Sequence, residues 1–362
     1  LKYVRATNAN GSSWGTPITV DSAGNVGEFT SLAIVNGNPA ISFRDISKGY
    51  LKYVRALNAN GSSWDTPQEI DGTVQVGDYN SLALVNGNPA ISYYYGWPCR
   101  DLRYVRALDA HGLSWGTPIN VDSAGDVGLH TSLKVINGNP AISYYDATNA
   151  DLKYVRANDA SGSSWGTPVT VDSAGDVGLH TSLAVVGGNP AISYYDATNY
   201  DLKYVRANDA SGSSWGTPVV VDSTGNVGQY TSLEVVNGNP AISYYGNGLL
   251  KYVRANDADG SSWGSPVTVD SGGDVGRYTS LTVIRGFPAI SYYDVTNENL
   301  KFVIASEPNG STWRTPVVAD STGQAGQFSS LAVINGVPAI SYFAYYGAYG
   351  QGYIKFTVAR PY

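Results

Sequence analysis

One segment of about fifty residues recurs in phase along the whole chain, and that repeat narrows the folds open to it. A clean copy runs from Thr181 to Ser223, TSLAVVGGNP AISYYDATNY DLKYVRANDA SGSSWGTPVV VDS. Read by period, SLAVV, PAISYY, DLKYVRA and TPVVVD are short strand-like runs, and none carries a helical stripe. Their apolar and polar residues alternate incompletely, so burial on both faces is expected. The first gap is Asn-Gly in most copies, as at Asn36-Gly37, Asn86-Gly87, Asn137-Gly138 and Asn237-Gly238. Both residues accept positive φ, the requirement of a two-residue hairpin. A proline then opens the second strand, from Pro39 to Pro338, where a missing N–H costs least. The last gap is the polar NDASGSSW loop. Each copy therefore predicts a four-stranded antiparallel meander, strands A to D.

Strand A is expected to begin at Leu32, Leu82, Leu133, Leu183, Leu233, Leu281 and Leu331, and strand B to end at Phe43, Tyr93, Tyr144, Tyr194, Tyr244, Tyr292 and Tyr342. The phase never resets, which overrides the two or three domains that length alone suggests. Four-stranded units of this period are the sign of propeller blades. An open solenoid needs polar caps at its ends, and this chain shows none. It starts instead at strand C and finishes after a strand B or C, the offset a ring needs when its two ends share a blade. The reading is all-β: one seven-bladed β-propeller over residues 1–362. Residues 1–21 supply strands C and D to the blade begun by residues 331–342. Residues 353–360 form a surplus C-like strand, either a fifth outer strand or a competitor for the place of Leu1–Ala6.

Composition bounds the partners. A net charge of −7 with 14% charged residues leaves no basic patch for nucleic acid. A single cysteine, Cys99, excludes an internal disulfide framework and thiolate metal clusters. No apolar run approaches bilayer length, so membrane insertion is not expected. The chain has no methionine and begins inside a repeat, as a piece of a longer product would. Low charge with abundant Gly, Ser, Thr, Asn and Tyr suits a bacterial secreted or cell-surface protein.

The unit from strand C through the loop to strand D resembles the Asp-box of sialidases and related propellers. That pattern is roughly Ser/Thr-x-Asp-x-Gly-x-Thr-Trp. Its second half stands here as Gly162-Ser163-Ser164-Trp165 and Gly212-Ser213-Ser214-Trp215, while the acid falls one residue early, at Asp159 and Asp209. In Asn8-Ala9-Asn10-Gly11 the acid is missing. The resemblance covers about ten residues per blade, and it implies a fold, with the acid tying the loop and the Trp plugging the blade. It implies no activity.

Several residues are candidates for function. The position ahead of the expected strand A is aromatic or His in every copy: Phe29, Tyr79, His130, His180, Tyr230, Tyr278 and Phe328. Strand A lines a propeller's channel, so these seven should ring its mouth, where they would either bind a ligand such as a stacked sugar or simply plug the channel. His130 and His180 fall on neighbouring blades but lack a third metal ligand, since His111 belongs to the opposite face. The strand C arginines Arg5, Arg55, Arg106, Arg156, Arg206 and Arg254 sit at one height, which suits structural packing or cross-strand pairing with Asp and Glu better than a carboxylate clamp. Aspartates closing strand D, from Asp21 to Asp320, can cap the turn that follows. The loop Asp146–Asp151 has the oxygens for Ca²⁺ but no strong calcium spacing, so no cofactor is expected. The B–C connections vary most, and YYGWPCR at residues 94–100 departs furthest from the repeat, making Trp97 the least repetitive candidate.

Catalysis needs one acid and one base in distinct environments, whereas this chain offers the same groups seven times. The sequence therefore favours a multivalent binding propeller, lectin-like or a protein-interaction module. The alternatives are a sialidase-like glycoside hydrolase, betrayed by a pair of carboxyl groups at the channel mouth, and a purely structural module.

Overall fold

The computed structural model describes residues 1–345, so the surplus strand expected at 353–360 lies outside the described residues. The chain opens with β1 (Lys2–Arg5) and β2 (Ile18–Thr19). Then β3 (Val26–Val35), β4 (Asn38–Asp45), β5 (Tyr50–Arg55) and β6 (Gln68–Asp71) pair in chain order as blade 1. Strands β7 to β26 repeat that order between Val76 and Asp320 as blades 2 to 6. Finally β27 (Gln324–Ile334) and β28 (Val337–Tyr345) take β1 and β2 as their third and fourth strands, completing blade 7. Lys2 pairs with Tyr342 and Arg5 with Ala339, so β1 holds the strand C position of this blade. The protein is a seven-bladed β-propeller whose last blade joins both ends of the described chain.

The circle is closed by side chains as well as by sheet pairing. The Leu32 N–H donates to Ser330 Oγ at 3.0 Å, and the same bond recurs between all neighbouring innermost strands, through Leu331 and Ser280. Hydrophobic burial lies between blades. One cluster packs Leu152 and Tyr154 of blade 3 against Leu183, Ile192 and Val205 of blade 4, which is why the strands bury both faces. Each hairpin Trp meets the strand C aromatic of the preceding blade edge-on, as Trp165 meets Tyr104 with ring centroids 5.1 Å apart.

The polar seams between blades are equally regular. Asp172 caps its turn by accepting the Ala174 N–H at 3.0 Å, as the sequence suggests. Its other oxygen accepts the Tyr194 hydroxyl at 2.6 Å and the Lys203 ammonium at 3.0 Å, both from the next blade, and Lys203 also reaches Asp196 at 3.1 Å. These charges are buried, and their mutual bonds replace the water each has lost. The strand C arginines take the structural role expected of them, mostly on backbone carbonyls in place of acids. Arg156 donates to the carbonyls of Ile136 and Asn137 at 2.9 and 2.8 Å, holding its own blade's A–B turn. Of these arginines only Arg206 meets an acid, Asp259 at 3.3 Å. A tight turn leaves its carbonyls pointing outward, and the guanidinium fork satisfies two at once.

Strand A also begins earlier than expected, at Val26 rather than near Leu32. Two register breaks, between Val26 and Glu28 and between Glu28 and Ser31, interrupt its alternation and hide it from a period-two reading. Gly27 at the first break has φ +112°, and a Cβ there would stand 2.8 Å from Leu1 Cα of the adjoining blade. Only glycine lets the two backbones come that close.

Candidate functional site

The second break in strand A positions the aromatic residue. Phe29, Tyr79, His130, His180, Tyr230, Tyr278 and Phe328 all have φ between +52 and +55°, an uncommon setting for bulky side chains. A strained backbone kept seven times marks a position that the surrounding bulge dictates. Six of the seven carbonyls accept a hydroxyl from the next blade, as His130 does from Thr181 at 2.9 Å, the exception being Phe29, which faces Asn80.

The seven side chains form a closed circle just inside the face that carries the B–C loops. Neighbouring ring centroids are 4.2–4.6 Å apart all the way round. Their planes differ by 45–59°, scattered about one seventh of a turn. Planes related by rotation about the channel reach that angle only if they stand parallel to its axis. Seven centroids at this spacing lie on a circle of about 5 Å radius, where rings facing the axis would overlap at their edges. The rings therefore stand like paddles, stacked face towards face, with their edges turned to a bore of about 4 Å. The space they border, with the adjoining Thr and Ser positions, is about 190 Å³. The bore is wide enough for water and too narrow for a pyranose. Burial holds the His180 imidazole down at about 4, and burial together with the neighbouring His180 holds His130 well below its ordinary value.

Outside this circle stands a second tier that the sequence reading missed. The penultimate residue of strand B reaches into the next blade: Tyr145 donates to Asp176 and Tyr195 to Asn226, both at 2.8 Å. Blade 1 has Arg44 at this position. Its Nη1 lies 2.5 Å from Asp78 Oδ1 of blade 2 and 3.7 Å from Glu28 Oε2 of its own blade. Because both contacts share one nitrogen, the two carboxylate oxygens stand within about 6 Å of each other, a separation used by glycosidases. Burial raises both acids, against the pull of Arg44. Aligning the copies exposes the signal: residues 28 and 78 are acids where the other copies carry Leu, Gln or Arg. Trp97 projects from the neighbouring B–C loop, 64% exposed, with the Arg100 guanidinium 5.7 Å from its ring.

Elsewhere the predicted groups are occupied structurally. Asp146 accepts the N–H groups of Thr148 and Asn149 with one oxygen, while the other meets the Asn149 amide and Lys153. His111 lies on the opposite face, where its Nε2 is 2.6 Å from the Asn36 amide. No group of three or more His, Cys, Asp or Glu side chains arranged for a metal occurs among the described residues.

The opposite face carries a repeated groove. Between blades 3 and 4, Arg156, Asn158, Thr167 and Val169 face Ser211–Ser213 of the next hairpin across about 310 Å³. Between blades 2 and 3, Arg106, Leu108, Thr117 and Ile119 face Ser161–Ser163 across about 250 Å³. Between blades 6 and 7 the equivalent groove is about 60 Å³, and Arg314 lines it at the position of Gly166 in blade 3. The acid shifted from its place in the Asp-box pattern still ties this hairpin. Asp159 accepts the Ser161 and Ser163 hydroxyls and the N–H groups of Ser161, Ser163 and Ser164, and those bonds, the Ser161 hydroxyl's first, hold its carboxyl far below the ordinary range. In blades 7 and 1, Asn8 and Asn58 take over part of that role.

No family model matches this sequence, and no curated protein matches it. Many solved structures share the fold. A polysaccharide lyase, ulvan lyase, bound to a -[GlcA(1-4)Rha3S]- saccharide aligns with 85% of this chain and 88% of its own at TM-score 0.56 and 13% identity. A protein of unknown function from Dyadobacter fermentans aligns with 76% of this chain and 93% of its own at TM-score 0.54 and 14% identity. The NanB sialidase of Streptococcus pneumoniae aligns over 89% of this chain and 68% of its own at TM-score 0.51 and 10% identity. At such identities the likeness is one of fold.

Proposed function

We propose that this chain is a multivalent, lectin-like binding propeller of a secreted or surface protein, with a glycan as its ligand. The observation that carries the reading is the equivalence of its sectors. All seven repeat the same Trp contact at 5.1–5.2 Å and the same bond from Trp Nε1 to a glycine carbonyl at 2.8–3.0 Å. A surface presented several times gains avidity on a polymer that repeats its own epitope. The ligand class is suggested by propellers of this fold that are named as a polysaccharide lyase and a sialidase. Trp97 adds an exposed aromatic face, and the ring from Phe29 to Phe328 adds a rim of edges and Tyr hydroxyls. A glycan array probed with native and heat-denatured protein tests the reading. Native-only signal, with calorimetric stoichiometry above one, is the expected result; absence of native-only signal removes the glycan.

One observation favours a second reading, glycoside hydrolysis at the channel mouth. Glu28 and Asp78 supply the close carboxyl pair that such chemistry needs. This reading predicts release of fluorophore from aryl glycosides by the wild type and its loss in Glu28→Gln. Wild-type protein inert on a broad aryl glycoside panel rules it out.

A further inference from the structure

The channel mouth is single, and its rings spend their faces on one another. A multivalent ligand needs a feature that recurs, and the grooves of the opposite face do so. We infer that the inter-blade grooves on that face are the glycan sites, each taking a neutral sugar through a pair of adjacent hydroxyls. This rests on the binding reading above and adds where the ligand sits and what charge it carries.

The groove between blades 3 and 4 shows why. Arg156 uses Nε and one terminal nitrogen on its own turn, leaving Nη1 without a protein partner. Asn158 spends its amide N–H on Ser164 Oγ at 2.9 Å, and its Oδ1 stays unbonded. Thr167 is exposed, and its hydroxyl makes no hydrogen bond among the described residues. A donor, an acceptor and a group able to be either thus line one groove, matching a diol whose two hydroxyls each donate and accept. Val169 supplies apolar wall for the carbon skeleton of a sugar. The charge balance points to a neutral ligand. In the next groove Arg206 and Asp259 pair directly.

The set repeats as Arg206, Asn208 and Thr217, and again as Arg254, Asn256 and Ser265. Asn208 and Asn256 make the same single bond, to Ser214 and Ser262 at 2.9 Å. Three adjacent grooves therefore carry the full set. The one between blades 6 and 7 has Ile304 and Ser306 where the set has Arg and Asn, and Arg314 stands in it where Gly166 stands in blade 3, so it should be silent.

The test is affinity electrophoresis in gels containing galactomannan, xyloglucan, starch, pectin or hyaluronan. It compares wild type with the triple variant Thr167→Val, Thr217→Val, Ser265→Ala. All three side chains are exposed and free of intramolecular hydrogen bonds, so the thermal midpoint should not move. Retardation by at least one neutral polymer, weakened about tenfold or more in the triple variant, is the expected result. Lys48→Ala on the other face should behave as wild type. Retardation by the acidic gels alone would overturn the neutral-sugar assignment. Full retardation of the triple variant by the same neutral gel would overturn the groove placement while leaving glycan binding intact. No retardation in any gel removes the groove proposal, and a blank glycan array beside it removes the glycan reading as well.

Discussion

The histidines of the channel circle make a measurable demand on pH. In the unfolded chain each imidazole titrates near 6.5. In the folded ring His180 titrates at about 4, because burial disfavours its charged form. The rings beside the pair are the phenols Tyr79, Tyr145, Tyr195 and Tyr230, which bring no carboxylate to the imidazoles. The sign follows from proton binding. Between about pH 6.5 and pH 4 the unfolded state holds the extra proton, so stability falls as pH falls and levels off below 4. For His180 the loss amounts to about 3 kcal/mol across that window, and His130 adds to it in the same direction. Glu28 and Asp78, whose folded values are raised, act oppositely near the foot of the window. The perturbation is His130→Phe with His180→Phe, since Phe29 and Phe328 already occupy equivalent positions. Urea unfolding monitored by Trp fluorescence at half-unit steps from pH 7.5 to 4.5 reads both proteins. The difference between them should grow as pH falls, by about 3 kcal/mol or more over the window. Parallel curves for the two proteins would refute the claim that the ring holds its imidazoles uncharged.

Three further outcomes are expected. Asp172→Ala leaves Lys203 with Asp196 alone and strands the Tyr194 hydroxyl in a buried seam, and should cost roughly 1–3 kcal/mol in urea unfolding. Gly178→Ala places a Cβ 2.7 Å from Leu152 Cα at φ +105° and should lower stability by more than about 1 kcal/mol, read as a drop in thermal midpoint. Trp97→Ala removes an exposed ring and should stay within about 0.5 kcal/mol of wild type; a collapse in stability would make that loop a packing element.

The blade count, the hairpin turns and the sharing of one blade by the chain's two ends were legible because each depends on a local pattern repeated seven times. The start of strand A was not. Gly27 and Phe29 sit at register breaks, where alternation fails and a period-two reading ends the strand too late. The ring of seven was found from its residues, but the standing of its planes depends on φ and on the neighbouring blade. The arginines were given a structural role on the right strand, but their carbonyl partners were not foreseen, because carbonyls have no letter in a sequence. The Glu28, Arg44 and Asp78 cluster escaped notice for a related reason. Arg44 reaches across a blade boundary, and nothing in a single repeat reports which residues of the next one it faces.

Closure of the ring is the claim on which the rest depends, and it can be measured where residues far apart in sequence meet. The Asn335 amide lies 3.2 Å from the Ala59 carbonyl, joining blade 7 to the hairpin of blade 1. Both residues are exposed. In a Cys99→Ser background, Asn335→Cys with Ala59→Cys and a short thiol-reactive cross-linker should give near-complete intramolecular linkage at low protein concentration. An open spiral would leave the thiols apart, yielding unlinked chains or only concentration-dependent dimers.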